Sequence, residues 1–121
     1  MNILVVDDEP ELLEVLKLGL SLEGFSVFET DSAAFAIRLL SIENIDVIIS
    51  DIRMPIMNGI EFGRLIRTLD FKMPIIYHSA EYNGEDVYKL DLVEIGNCTF
   101  VSKPCVVSNL SKILIRYKKN Y

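Results

Sequence analysis

The sequence predicts an α/β domain, a doubly wound five-stranded parallel sheet with strand order 2-1-3-4-5 and five helices. Short runs rich in Val, Ile and aromatic residues recur at regular intervals, and segments of helical period lie between them. The first, third and fourth runs are continuously apolar rather than alternating, as strands covered by helices on both faces are.

The four clear runs are Ile3-Leu4-Val5-Val6, Val47-Ile48-Ile49, Ile75-Ile76-Tyr77 and Thr99-Phe100-Val101, with a weaker one at Phe25-Ser26-Val27-Phe28. In the first helix Pro10 suits the opening position, where a missing N–H costs nothing. Leu12, Val15, Leu16, Gly19 and Leu20 mark its inner face, Glu11, Glu14, Lys17 and Ser21 the outer, and Gly24 ends it. Asp31 or Ser32 caps a second helix to about Ser41, Asn58 a third to about Leu69, and a fourth spans Gly84 to Glu94. Ser108 caps the fifth, in which Leu110, Ile113, Leu114 and Tyr117 repeat at helical spacing.

Strand-helix units in succession require right-handed crossovers, and the flavodoxin-like order is the economical arrangement for five of them. No repeat, linker or low-complexity stretch interrupts the series. Ligands in such sheets bind beyond the carboxyl ends of the central strands, so function is to be read where the strands stop.

With 121 residues, half of them hydrophobic, the chain is expected to build one core without disulfide or metal staples. The net charge is −6, but residues 103–121 carry five Lys or Arg and no acid, leaving −11 on the rest. That basic strip reads as a solvated helix face with cations near the negative end of the dipole. An acidic body of this kind argues against direct nucleic-acid binding. Cys98 and Cys105 sit in apolar surroundings without metal-ligand spacing and read as buried small hydrophobes, not a disulfide. There is no basic, cleavable leader and no apolar run of membrane-spanning length, so the cytoplasm is the expected compartment.

Strand one stops at Asp7-Asp8, strand three at Asp51, strand four at Ser79 and strand five at Lys103-Pro104. Crowded carboxylates raise one another's pKa unless a cation sits among them. Mg2+ suits carboxylate and carbonyl oxygens and keeps several waters; Ca2+ would want more protein ligands, and Zn2+ lacks Cys and His partners here.

The pattern Ile3-Leu4-Val5-Val6-Asp7-Asp8-Glu9-Pro10, Asp51-Ile52-Arg53-Met54-Pro55 with Asn58-Gly59, Ser79-Ala80 and Lys103-Pro104 resembles the response regulator receiver family over essentially the whole chain. The resemblance implies a single receiver domain over residues 1–121. It further implies that Asp51 takes a phosphoryl group from a phosphohistidine of a sensor kinase or phosphotransfer protein, with Mg2+ as cofactor. Asp8 would bind the metal directly, Asp7 directly or through water, and Asp51 and the Arg53 carbonyl would complete the protein ligands. Lys103 would pair with Asp51 and then with the phosphoryl group, to which the Ser79 hydroxyl would donate. Ser79 and Phe100 would form the switch, and Arg53, Ala80 and Glu81 would flank the phosphate, Arg53 and Glu81 as a salt bridge across the mouth. The readout surface would be the fourth helix, fifth strand and fifth helix, and the chain would act as a switch catalysing only its own phosphorylation and dephosphorylation. A downstream target or fused output domain is implied, and a homodimer is open.

Each of these residues also has a plainer reading. Asp7 and Asp8 suit the start of a helix, Asp51 a turn before Pro55, Lys103 the surface, and Phe100 the core. His78 reads as strand-end packing and Ile115 as a scattered exposed residue or part of a docking surface with Arg116. Two rival functions use a similar sheet: a haloacid-dehalogenase-like aspartyl-phosphate phosphohydrolase and a flavodoxin-like electron carrier. The first would place its acids as Asp-x-Asp, the second would need Ser, Thr and Gly in the first loop, and neither pattern is present. A third keeps the fold but acts as an interaction module without phosphorylation.

Overall fold

The structure is a computed structural model and describes residues 1–118. Along the chain it runs β1 (Asn2–Val6), α1 (Pro10–Leu22), β2 (Ser26–Thr30), α2 (Ala33–Ile42), β3 (Val47–Ser50), α3 (Gly59–Thr68), β4 (Ile75–Ser79), α4 (Gly84–Val87), α5 (Lys89–Ile95), β5 (Cys98–Ser102) and α6 (Val107–Lys118). The strands form one parallel sheet in the order β2-β1-β3-β4-β5, as the sequence predicts.

Alternation of side chains divides the central strands between two cores. Leu4, Val6, Ile48, Ile75 and Tyr77 face α2, α3 and α5, meeting Ala36, Leu40, Phe62, Ile66 and Ile95. Ile3, Val5, Val47, Ile49 and Ile76 face α1 and α6, meeting Leu13, Leu16, Leu20, Leu110 and Leu114. Each such fully buried aliphatic side chain contributes roughly 1.5–3 kcal/mol of transfer free energy, before the entropy of ordering it is counted.

Register fixes the functional edge. Val6 lies opposite both Thr30 and Ser50, and Ser79 opposite Ser102. Asp7, Asp51 and Lys103 therefore each emerge one residue past their strand, at the same edge of the sheet.

Several local expectations are corrected. The buried face of α1 is Leu13, Leu16 and Leu20; Val15 is exposed and leucine 13 replaces it against the sheet. β2 begins at Ser26, because Phe25 belongs to the turn, its N–H donating to the Leu20 carbonyl, and pairing runs on through Thr30. Of the two residues expected as the α2 cap, Ser32 takes the position as foreseen, accepting from the Phe35 N–H at 3.0 Å. The fourth expected helix is two pieces broken at Tyr88, so six helices are present among the described residues instead of five. α6 starts at Val107, inside which Ser108 is already helical and caps nothing. Cys98 and Cys105 are free thiols, only partly buried. Lys119, part of the basic strip, lies outside the described residues. No described helix is long and apolar enough to cross a membrane.

Candidate functional site

Backbone bonds carry the ladder one step beyond the strands and so place the first charged residues. The Asp7 N–H donates to the Thr30 carbonyl at 3.1 Å, that of Asp51 to Val6 at 2.9 Å, and that of Lys103 to Ser79 at 2.8 Å. Each carboxylate is then turned by a short local bond, Asp7 Oδ1 accepting from the Glu9 N–H at 3.0 Å and Asp51 Oδ1 from the Ile52 N–H at 2.7 Å. The free oxygens converge on one ammonium: Lys103 Nζ lies 3.0 Å from Asp7 Oδ2, 3.2 Å from Asp51 Oδ2 and 2.9 Å from Glu9 Oε1.

Asp7 and Asp51 are buried, at 2% and 6% exposure, whereas Asp8 is open to solvent. Carboxylate oxygens of all three lie within 4.8 Å of one another. Burial raises the Asp7 and Asp51 carboxyls above their ordinary range; the Glu9 N–H and Lys103 only partly pull Asp7 back, and Lys103 and the Ile52 N–H only partly pull Asp51 back. Burial alone would depress the Lys103 ammonium, but Glu9, Asp7 and Asp51 outweigh it and hold the amine well above its usual value. One ammonium thus stands against four carboxylates. That excess of hard, anionic oxygen fits a small divalent cation kept partly hydrated.

The cleft over Asp51 holds about 470 Å³ and is walled by Asp8, Arg53, Ser79, Ala80, Glu81, Tyr82 and Lys103. Arg53 and Glu81 form an ion pair across its mouth. The Ser79 hydroxyl is buried and accepts from the Glu81 N–H at 3.2 Å, which keeps it in its own loop. The Phe100 ring is half-buried and lies against Gly84 so closely that a Cβ there would strike it. All nine residues singled out from the sequence therefore stand on this edge or on the loops beside it, with Phe100 on β5 beneath the start of α4.

Two participants were not legible as site residues. Glu9 shares Lys103 with the buried acids although it is itself exposed, and the only signal for it was an acid directly after Asp7-Asp8. Tyr88 stands beside Glu81 and Arg53, its hydroxyl pushed up by burial and by the Glu81 charge; nothing in its spacing marks it.

Comparison with known proteins agrees with this geometry. The family model described as the response regulator receiver domain matches residues 3–115. The transcriptional regulatory protein GlrR of Escherichia coli (strain K12) is 36% identical over 103 residues, covering 85% of this chain and 23% of that protein. The response regulator SaeR of Staphylococcus aureus (strain USA300) is 32% identical over 123 residues, covering 98% of this chain and 52% of that protein. The chain thus spans about a quarter to about half the length of these curated relatives. Among solved structures, the response regulator TrrA of Thermotoga maritima superposes with a TM-score of 0.81 at 30% identity, covering 96% of this chain and 97% of that one. The chemotaxis response regulator CheY4 of Vibrio cholerae gives 0.82 at 28% identity, with the same coverage of 96% and 97%. The phosphohydrolase and electron-carrier readings find no support in these matches. An edge that gathers buried acids around a lysine, on a sheet of this order and with these relatives, has one family behind it: the chain belongs to the response regulator receiver domains of two-component signalling.

Proposed function

We propose that Asp51 is the phosphoacceptor of this receiver and that the transfer depends on Mg2+. The observation that carries the reading is the convergence of Asp7, Asp8 and Asp51 around Lys103 at one sheet edge. TrrA, the relative of known structure described above, was solved in complex with Mg2+ and beryllofluoride, a phosphoryl mimic, which supports the same use of the edge here. Asp8, Asp51, the Arg53 carbonyl and Asp7, directly or through water, would hold the ion. When bound, Mg2+ neutralises charge on the phosphoryl oxygens.

The chain's own groups do the rest. An Asp51 oxygen attacks the phosphorus of a phosphohistidine on a sensor kinase or phosphotransfer protein; an O–P bond forms, the N–P bond breaks, and the imidazole leaves with the electron pair. Lys103 exchanges its contact with Asp51 for one with a phosphoryl oxygen, so an ammonium already held in the cleft meets the arriving charge. Ser79 gives up its loop contact and donates to another phosphoryl oxygen, and Phe100 turns into the space left behind, which alters the surface of α4, α5, β5 and α6. Arg53, Ala80 and Glu81 flank the group, and the Arg53–Glu81 pair shields it from water. The domain catalyses only its own phosphorylation and dephosphorylation, residues 1–121 form one receiver, and its setting is the cytoplasm, with a downstream target or an attached output domain reading its state.

Incubation with Mg2+ and a small phosphodonor, followed by intact-mass measurement, tests this. One added phosphoryl group on the parent protein, and none on Asp51→Asn or after chelation of the metal, is expected. A parent protein that stays unmodified, and that beryllofluoride with Mg2+ leaves spectroscopically unchanged at Ser79 and Phe100, would refute the reading.

A further inference from the structure

Tyr77 is completely buried on β4, and its hydroxyl donates to the Gly59 carbonyl at 2.9 Å. Strand positions of this kind are filled well by Val or Ile, which need no partner; a tyrosine here brings a polar atom into the core and must satisfy it. The surroundings are shaped for that atom. A Cβ on Gly63, one turn further along α3, would collide with the Tyr77 hydroxyl, so glycine at 63 leaves the volume the oxygen occupies.

The acceptor is the more informative end. Gly59 opens α3 and closes the loop that leaves Asp51: its N–H donates to the Ile52 carbonyl at 2.7 Å. Its Cα sits so tightly on the Asp51 backbone carbonyl that any side chain would clash with it. Gly59 is therefore tied by two hydrogen bonds, to the Ile52 carbonyl and from the Tyr77 hydroxyl, and packs closely on the Asp51 carbonyl. The loop pinned between Asp51 and Gly59 contains Arg53, whose carbonyl is the proposed metal ligand.

We infer that Tyr77 is a positioning residue for the metal site, fixing through Gly59 the loop that presents the Arg53 carbonyl beside Asp51; this rests on the function proposed above. Groups that orient a metal's ligands from behind typically change affinity by about 10- to 100-fold when lost. A purely structural role would instead change stability and leave affinity alone.

Tyr77→Phe keeps the ring and deletes the tie. Calorimetric Mg2+ titration of the metal-free protein is expected to show affinity weakened by roughly tenfold, the phosphorylation rate at saturating Mg2+ staying within about twofold of the parent. A second variant separates packing from positioning. In Tyr77→Phe/Gly63→Ala the added methyl takes the volume the hydroxyl vacated, so the urea midpoint should recover toward the parent while the Mg2+ affinity stays weak. If Tyr77→Phe binds Mg2+ as the parent does, or if the double variant regains affinity along with stability, the positioning role is overturned. A parent protein that accepts no phosphoryl group and binds no Mg2+ would overturn the phosphoacceptor reading and this inference together, whereas a fully active parent with an equally competent Tyr77→Phe overturns this inference alone.

Discussion

Two sets of opposite charges stand within one cleft and live in different dielectrics. Deep in it the side chains of Lys103, Asp7 and Asp51 are 10%, 3% and 8% exposed; at the mouth Arg53 is 82% exposed against 16% for Glu81. Burying charge costs several kcal/mol per ion in real proteins, and the surplus of carboxylates here leaves part of that cost uncompensated. An exposed pair costs and contributes little. The difference teaches that the inner cluster is held together at a cost in stability, while the outer pair can be lost with little effect on the fold.

Lys103→Met sharpens that contrast most. The stem is kept and the ammonium removed, leaving buried Asp7 and Asp51 without a protein cation. Losing a preorganised group that meets developing charge should lower the phosphorylation rate by about 100-fold or more. Breaking a buried pair by removing one partner should destabilise the metal-free protein by about 3 kcal/mol, less whatever proton uptake by the acids recovers. Saturating Mg2+ should restore much of that stability, because the ion binds the same carboxylates in the folded state alone. Urea unfolding of the variant with and without Mg2+ checks it; a midpoint indifferent to the metal would mean that the acids are not gathered as described.

His78 carries the contrast to the other face of the sheet. It neighbours Ser79 but points among Leu12, Pro104 and Cys105, with Glu9 and Lys103 the charged groups beside it, and it is 1% exposed. Neither ring nitrogen has a hydrogen-bond partner. Burial, and then the Lys103 charge, lower its pKa from 6.5 to about 4. A folded-state value below the unfolded one means that the unfolded chain takes up the proton first, so stability falls as pH drops from about 6.5 toward 4. The loss from His78 between pH 7 and pH 5 should be about 2 kcal/mol, and the raised carboxyls of Asp7 and Asp51 act in the opposite direction at the acid end. His78→Leu should remove that slope and gain about 1–2 kcal/mol at pH 7, since no buried nitrogen is left unpaired. Paired denaturation curves at the two pH values decide it: equal slopes for parent and variant would show that the ring is protonated or solvated in the folded protein.

The sheet and its functional edge were legible because both depend on residues that allow few alternatives. Continuous apolar runs at β1, β3 and β4 admit only covered parallel strands, and acids placed just beyond β1 and β3 have nowhere to go but the same edge. Asn58 was equally clear, and it closes a full capping box with Glu61. What escaped the sequence was set by contacts between distant segments. The break at Tyr88 lies in a stretch where Val87, Leu90 and Val93 are exposed while Leu92 packs on the core, so its apolar pattern names no single face. α6 begins at Val107 because that side chain packs against Gly19 of α1, a contact that overrides the serine after it. Tyr77 reads as one more core residue until its hydroxyl is found on a carbonyl eighteen positions away.

The rim pair should give the smallest effect on stability and a purely kinetic one on function. Arg53→Ala and Glu81→Ala should each leave the urea unfolding midpoint close to that of the parent, since Arg53 is held in solvent and its long side chain loses entropy to meet Glu81. Arg53→Ala also retains the backbone carbonyl, so Mg2+ affinity should be unchanged. On the proposed reading the lifetime of the phosphorylated protein should nevertheless shorten by about three- to tenfold, because the contact across the mouth of the cleft is lost. The two substitutions act on one contact, so the double variant should dephosphorylate no faster than the faster single. Salt offers an independent handle: raising ionic strength weakens an exposed pair, and the parent should drift toward the variants' rate while they stay put. Dephosphorylation followed at low and high salt for the parent, both singles and the double reads all of this at once, and additive effects of the two substitutions would show that Arg53 and Glu81 influence the phosphoryl group separately rather than as a clasp.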